Sequence, residues 1–302
     1  MTVVRVGFVG LGNMGTPMAR SLLKRGFPMS VYDVRKEAAQ KVLPLGAKVA
    51  RSCRALAAAS DVIISMVRDI PQTEDVIFGP DGLWKGLAEG KTLIISSTLT
   101  PAYCRMLYAR AKEKNVSVLD CAVSDPSGQT HRLGGLTLMI GGDDDAVRRC
   151  WPIFQALGKN IFHMGGIGTG QACKLVHQIN AFNISTVTRE SLDLGLRAGL
   201  DLPKMIEALS TGLGSTKGLQ RMAATLKSRR RTAARPVVAP PAPVPAAGAA
   251  AAPANPLAKD IQLAMAMADD VRASMPIARF IAELDSTSAY PEYSAAMKRY
   301  MP

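Results

Sequence analysis

Residues 10–15 read Gly-Leu-Gly-Asn-Met-Gly, three glycines spaced GxGxxG between a β-branched apolar run at 3–10 and a helical pattern at 14–25. In a strand–turn–helix setting each glycine has a reason. Gly10 permits the tight turn, Gly12 lets the backbone approach a pyrophosphate, and Gly15 lets helix and strand come close. Leu11, Asn13 and Met14 complete the loop, and the N–H groups at the positive end of the helix would carry the anion. The arrangement predicts a dinucleotide site. The second strand is expected to end at Asp33, placed to accept hydrogen bonds from ribose 2′- and 3′-hydroxyls and to repel a 2′-phosphate, which favours NAD. Arg35 stands close enough to pair with such a phosphate, so NADP stays open.

The elements that must position this loop follow from the alternation of short apolar runs with helical patterns. Strands are expected at 3–10, 29–33, 61–67, 91–98, 117–123 and 136–141, and helices at 14–25, 36–43, 102–114 and 146–157. Strands alternating with helices predict a mostly parallel sheet covered on both faces. Ligands of such sheets bind beyond the carboxyl ends of the strands, which adds Met66, Val67 and Thr98 to the cofactor candidates. From about Met164 the strand signals stop. A long helix is expected over 168–199, with shorter ones at 205–209, 218–226 and from 259 on. The expected fold is an α/β Rossmann-type N-terminal domain over 1–164 followed by an all-α C-terminal domain over 165–302. Residues 232–258 fit neither pattern. Ala and Pro fill 19 of these 27 positions, and so little large apolar surface predicts a disordered insert.

Composition narrows the class. The formal charge is +13, but no Asp or Glu occurs between Ala208 and Lys259, and the eight basic residues there leave +5 for the rest of the chain. Basicity that local does not call for a nucleic-acid partner. No apolar run long enough for a membrane span occurs, and the amino end lacks the basic leader and cleavage site of a signal peptide. Five scattered Cys without a CxxC pair and three scattered His fit free thiols, a cytoplasmic protein and no metal site.

Several ordered motifs together resemble the β-hydroxyacid dehydrogenases, over nearly the whole chain except 228–258. They are Gly10 to Ala19 (GLGNMGTPMA), Ser97-Thr98 after the fifth strand, Leu119 to Ser124 (LDCAVS), Leu136 to Gly142 (LTLMIGG), Gly168 to Lys174 (GTGQACK) and Lys259-Asp260. The resemblance implies oxidation of a small β-hydroxy acid of the 3-hydroxyisobutyrate or sugar-acid kind, with hydride passed to NAD. It implies Lys174 as general acid/base, Ser124 on the substrate carboxylate, Lys259 on cofactor or substrate, and a homodimer or homotetramer. A lysine base needs burial or a nearby cation to work near neutrality, and the apolar neighbours Ala172, Cys173, Leu175 and Val176 predict burial. Lys174-Leu-Val-His177-Gln178 matches a subgroup resembling L-threonate dehydrogenases. That makes Gln178, one turn on and on the same face, and His177 substrate candidates.

Two departures from the family pattern stand out. Asp125-Pro126 replaces Gly-Gly, and Pro offers no N–H to a carboxylate; a second register puts Ser127-Gly128 in that role instead of Ser124. The Ala/Pro/Arg stretch replaces a short F-x-L-x-L segment. It reads either as a genuine linker or as a local frame shift in a GC-rich gene, which intact mass and gene sequence would separate. Two other functional readings stay open: an NADPH-dependent reductase of small aldehydes, and a catalytically silent dinucleotide-binding interaction protein.

Overall fold

The structure, a computed structural model, describes residues 4–125, 134–233 and 256–283. Eight strands form one sheet: β1 (Val6–Val9), β2 (Met29–Tyr32), β3 (Lys48–Val49), β4 (Val62–Ser65), β5 (Thr92–Ile95), β6 (Ser117–Ser124), β7 (Leu136–Gly141) and β8 (Gly158–Gly165). Their order is β3-β2-β1-β4-β5-β6-β7-β8. The first six pair in parallel, and β7 runs antiparallel to β6. The order reverses at β1, so the crevice beyond β1 and β4 is the switch point where such sheets bind ligands. The Rossmann-type expectation therefore holds.

Helices α1 (Gly15–Lys24), α2 (Lys36–Gln40), α3 (Cys53–Ala59), α4 (Ile70–Phe78), α5 (Pro101–Lys112) and α6 (Asp144–Leu157) cover the sheet. Continuous apolar strands sort their side chains by the period of two. Phe8, Val31, Ile64, Ile94, Leu119 and Cys121 join Leu22 and Phe154 in the core on one face. Val9, Ile63, Leu93, Ile95 and Val118 join Leu56, Ile77 and Leu107 on the other.

The expected strands overran. The second ends at Tyr32 rather than Asp33, and the fifth at Ile95. β3, α3, α4 and β8 were not expected. Most of β8 is exposed, so it lacks the apolar signature of a buried strand. α3 is short and Ala-rich, fixed by Ser52 Oγ accepting from Ala55 N.

The chain divides into two compact units, Met1–His177 with Asp269–Val271, and Gln178–Ala268 with Arg272–Pro302. The long helix α7 (Thr169–Arg197) begins in the first. The second is helical, with α8 (Leu202–Leu209), α9 (Lys217–Ala233), α10 (Pro256–Asp270) and α11 (Pro276–Glu283). Its core holds Leu192, Leu202, Ile206, Leu219, Ala223 and Leu226. Helix α10 starts at Pro256, three residues before the expected resumption at Lys259. The rest of the expected insert, 234–255, lies outside the described residues. Among the described residues no helix is long and apolar enough to cross a membrane, and no group of three metal-binding side chains occurs.

Candidate dinucleotide and hydroxy-acid site

Strand register aligns the carboxyl ends. Val9 pairs with Tyr32 and Ser65, Ser65 with Ile95, and Ile95 with Asp120. The residues just beyond this row, Gly10, Asp33, Met66 and Ser96, open onto one edge of the sheet. Gly10 sits at φ +92, and a Cβ there would stand 2.1 Å from the Met66 carbonyl oxygen. A Cβ on Gly15 would stand 1.8 Å from the Gly10 carbonyl oxygen. These two glycines are demanded by the fold. Gly12 differs: a Cβ there would meet no protein atom within 4 Å, so its constraint comes from whatever approaches the loop.

Helix α1 begins at Gly15 with no acidic residue in its first turn and no side-chain cap on its N–H groups. In its first turn Thr16 N donates to the Gly12 carbonyl at 3.0 Å and Met18 N to the Met14 carbonyl at 3.2 Å, and Pro17 has no N–H, so the donors for an anion are those of the loop that leads into it. The loop therefore offers donors and the positive end of the helix to a pyrophosphate. Asp33, its side chain 6% exposed, closes the loop from β2. Its Oδ2 accepts from Leu11 N at 2.7 Å, and its Oδ1 from Arg35 N at 2.9 Å and Arg35 Nε at 3.3 Å. Burial pushes this carboxyl up, but the Leu11 N–H, the Arg35 N–H and the guanidinium outweigh it and hold it below the usual carboxylate range. Half-buried Met66, Val67 and Thr98 follow the ends of β4 and β5. These residues fit a nicotinamide dinucleotide.

Lys174 lies in the second turn of α7 and is 8% exposed, as its apolar neighbours predict. The helix is fastened at its start by Asp120, whose Oδ1 accepts from Gly168 N at 2.6 Å and Oδ2 from Gln171 N at 2.7 Å. Burial pushes the Asp120 carboxyl up against the opposing pull of these N–H groups. Ser124 ends β6, half-buried, paired with Thr137 of β7. Ser127 and Gly128 lie outside the described residues. His177 is exposed.

In the second unit Gln178 Nε2 donates to Asp260 Oδ2 at 2.6 Å, and Lys259 Nζ stands 3.5 Å from Asp260 Oδ1. The sequence had singled out Gln178 and Lys259 but given Asp260 no task. Its signal was a carboxylate beside a lysine on an otherwise apolar helix.

A family model for the NAD binding domain of 6-phosphogluconate dehydrogenase matches residues 5–166. A model for the NAD-binding domain of NADP-dependent 3-hydroxyisobutyrate dehydrogenase matches residues 168–238. The chain is 34% identical to an NAD-dependent L-serine dehydrogenase of Pseudomonas aeruginosa over 216 residues, 72% of each chain. It is 38% identical to a 2-hydroxy-3-oxopropionate reductase of Escherichia coli over 219 residues, covering 72% of this chain and 74% of that one. A 3-hydroxyisobutyrate dehydrogenase crystal structure from Salmonella typhimurium superposes with a TM-score of 0.75 at 25% identity, covering 98% of this chain and 100% of the other. The chain thus belongs to the β-hydroxyacid dehydrogenase family. It is an NAD(P)-dependent hydroxyacid dehydrogenase.

Proposed function

We propose that the protein oxidises the hydroxyl of a small β-hydroxy acid, of the 3-hydroxyisobutyrate or sugar-acid type, with NAD and with Lys174 as general acid/base. The observation that carries this reading is the burial of Lys174 on a helix fastened to Asp120 at the carboxyl end of the sheet. An amine withdrawn from water at a ligand-binding edge suits proton transfer better than solvation does. When bound, the dinucleotide supplies the hydride acceptor.

The chain's own residues do the rest. Lys174 takes the hydroxyl proton as the alcohol is oxidised to the aldehyde, and returns it to the oxygen when the aldehyde is reduced. Ser124, or Ser127 with Gly128, holds the substrate carboxylate. His177, Gln178 and Lys259 add polar contacts to the ligand. Leu11, Asn13 and Met14 frame the phosphates between the glycines, and Asp33 prefers NAD over NADP. Residues 165–302 serve as the substrate and dimerisation domain of a homodimer or homotetramer.

The test is absorbance of the reduced nicotinamide, with NAD and NADP offered separately against 3-hydroxyisobutyrate, glycerate, threonate and L-serine, and the corresponding aldehydes in reverse. Turnover of one acid with NAD is expected. Lys174→Ala should lower kcat by about 10²- to 10⁴-fold while dinucleotide binding persists. Dinucleotide binding without turnover of any pair would sink the reading in favour of a silent binder.

A further inference from the structure

Asp120 and Gln171 are titratable and polar groups that the mechanism above leaves unused, and both are fully buried. Their bonds form one continuous chain within the first unit. Val67 N donates to Ser97 Oγ at 2.9 Å, linking the loops after β4 and β5. Gln171 Nε2 donates to the Ser97 carbonyl at 2.7 Å, and its Oε1 accepts from Leu99 N at 3.0 Å. The Gln171 backbone N–H then reaches Asp120, which also takes the Gly168 N–H. One amide side chain thus satisfies a backbone acceptor and a backbone donor of the β5 exit loop.

Glycines make room for this chain. A Cβ on Gly141 would stand 2.5 Å from Asp120 Oδ1, and one on Gly170 would stand 2.7 Å from Asp120 Oδ2. Gly141 at the end of β7 and Gly170 at the start of α7 thus leave room for the carboxylate, and Gly170 leaves room for the Met139 carbonyl as well. Gln171 precedes Lys174 by three residues, so the two side chains emerge on neighbouring turns of one face.

We propose that Gln171 and Asp120 are positioning residues for Lys174. They key the first turn of α7 to the ends of β5 and β6, so that the lysine and the cofactor-side loops at Val67 and Ser97–Leu99 hold a fixed spacing. The proposal rests on the acid/base assignment of Lys174. Hydride and proton transfer both depend on that spacing, and an error of about 1 Å in such geometry costs on the order of 10²-fold in rate.

Gln171→Met keeps the side chain's length and removes both of its bonds. In the full-length protein, kcat for 3-hydroxyisobutyrate with NAD should fall by about 10²-fold, with a far smaller change in KM for the acid. Without substrate or cofactor, backbone hydrogen exchange at Leu99 should quicken. Gln171→Glu gives a second readout. A neutral carboxyl there can donate to the Ser97 carbonyl and accept from Leu99 N, whereas an ionised one cannot donate. Its activity relative to wild type should therefore be highest at low pH and decline as pH rises, a dependence that a purely structural contact would not produce. Wild-type kcat and unchanged Leu99 exchange in Gln171→Met, with Lys174→Ala inactive, would overturn the positioning role alone. Wild-type kcat in Lys174→Ala would overturn the acid/base assignment and the proposal with it.

Discussion

Leu11 N donates to Asp33 Oδ2 at 2.7 Å, tying the glycine turn after β1 to the residue that follows β2. The same carboxylate is met on its other oxygen by Arg35. A group expected to read the cofactor ribose therefore also braces the loop that receives the phosphates.

That double duty has a pH signature. The folded Asp33 carboxyl is held below its ordinary range, with burial opposed and outweighed by its hydrogen bonds. Its stabilisation is fully present above the unfolded pKa, near 3.9, and is lost as pH falls through the lower folded value. Asp33→Asn should cost about 1 kcal/mol at pH 7. Melting temperatures of the two proteins should keep a constant gap above about pH 5 and converge below about pH 4. A gap that persists unchanged into acid would contradict the carboxylate's bracing role.

The three glycines of the loop should separate by cause. Gly15→Ala forces a methyl group against the Gly10 carbonyl, which belongs at the upper end of the overpacking range, about 3 kcal/mol. Gly12→Ala meets no protein atom, so its urea midpoint should match wild type while NAD binding, followed by quenching of intrinsic fluorescence, is lost. Tight NAD binding by Gly12→Ala would mean that the pyrophosphate does not pass over this residue.

All five cysteines are free, and four are buried. Burial pushes the Cys53 thiol up to about 12 and the Cys150 thiol up to about 11, and raises Cys104 and Cys121 as well. Cys173 is half-buried, and burial raises it too. The thiolate is the reactive species, so access and pKa together select Cys173. A chromogenic thiol reagent at pH 8 should titrate one thiol per native chain and all five in guanidinium. Cys173→Ser should abolish the native reaction, and a second fast thiol in that variant would show that one of the other cysteines is less enclosed.

What the sequence disclosed follows the range of the interaction. Gly10, Gly12, Gly15 and Asp33 are legible because their task is set by a strand–turn–helix of local geometry. The buried strands are legible as apolar runs, and Lys174 as a lysine between apolar neighbours. Asp120 and Gln171 were not, because their partners lie 48 to 74 residues away in the chain, and no periodicity encodes such a bond. Strand β8 escaped because its faces are mostly wet. The choice between Ser124 and Ser127 turns on residues outside those described.

The bond between Gln178 and Asp260 offers the last test, because it joins helices α7 and α10 inside the second unit at 2.6 Å. Asp260 is 7% exposed, and its other oxygen faces Lys259. Removing the carboxylate by Asp260→Ala leaves a polar amide and an ammonium without their common partner, a loss of about 1–3 kcal/mol. Gln178→Ala removes the amide alone and should cost less. If the two side chains act through each other, the double variant should be less damaged than the sum of the singles, with a coupling of about 1 kcal/mol in urea unfolding. Gln178 also carries a proposed substrate contact, so both single variants should raise KM for the hydroxy acid more than they lower kcat. Additive stabilities, with KM unchanged in Asp260→Ala, would mean that Asp260 neither holds nor orients Gln178.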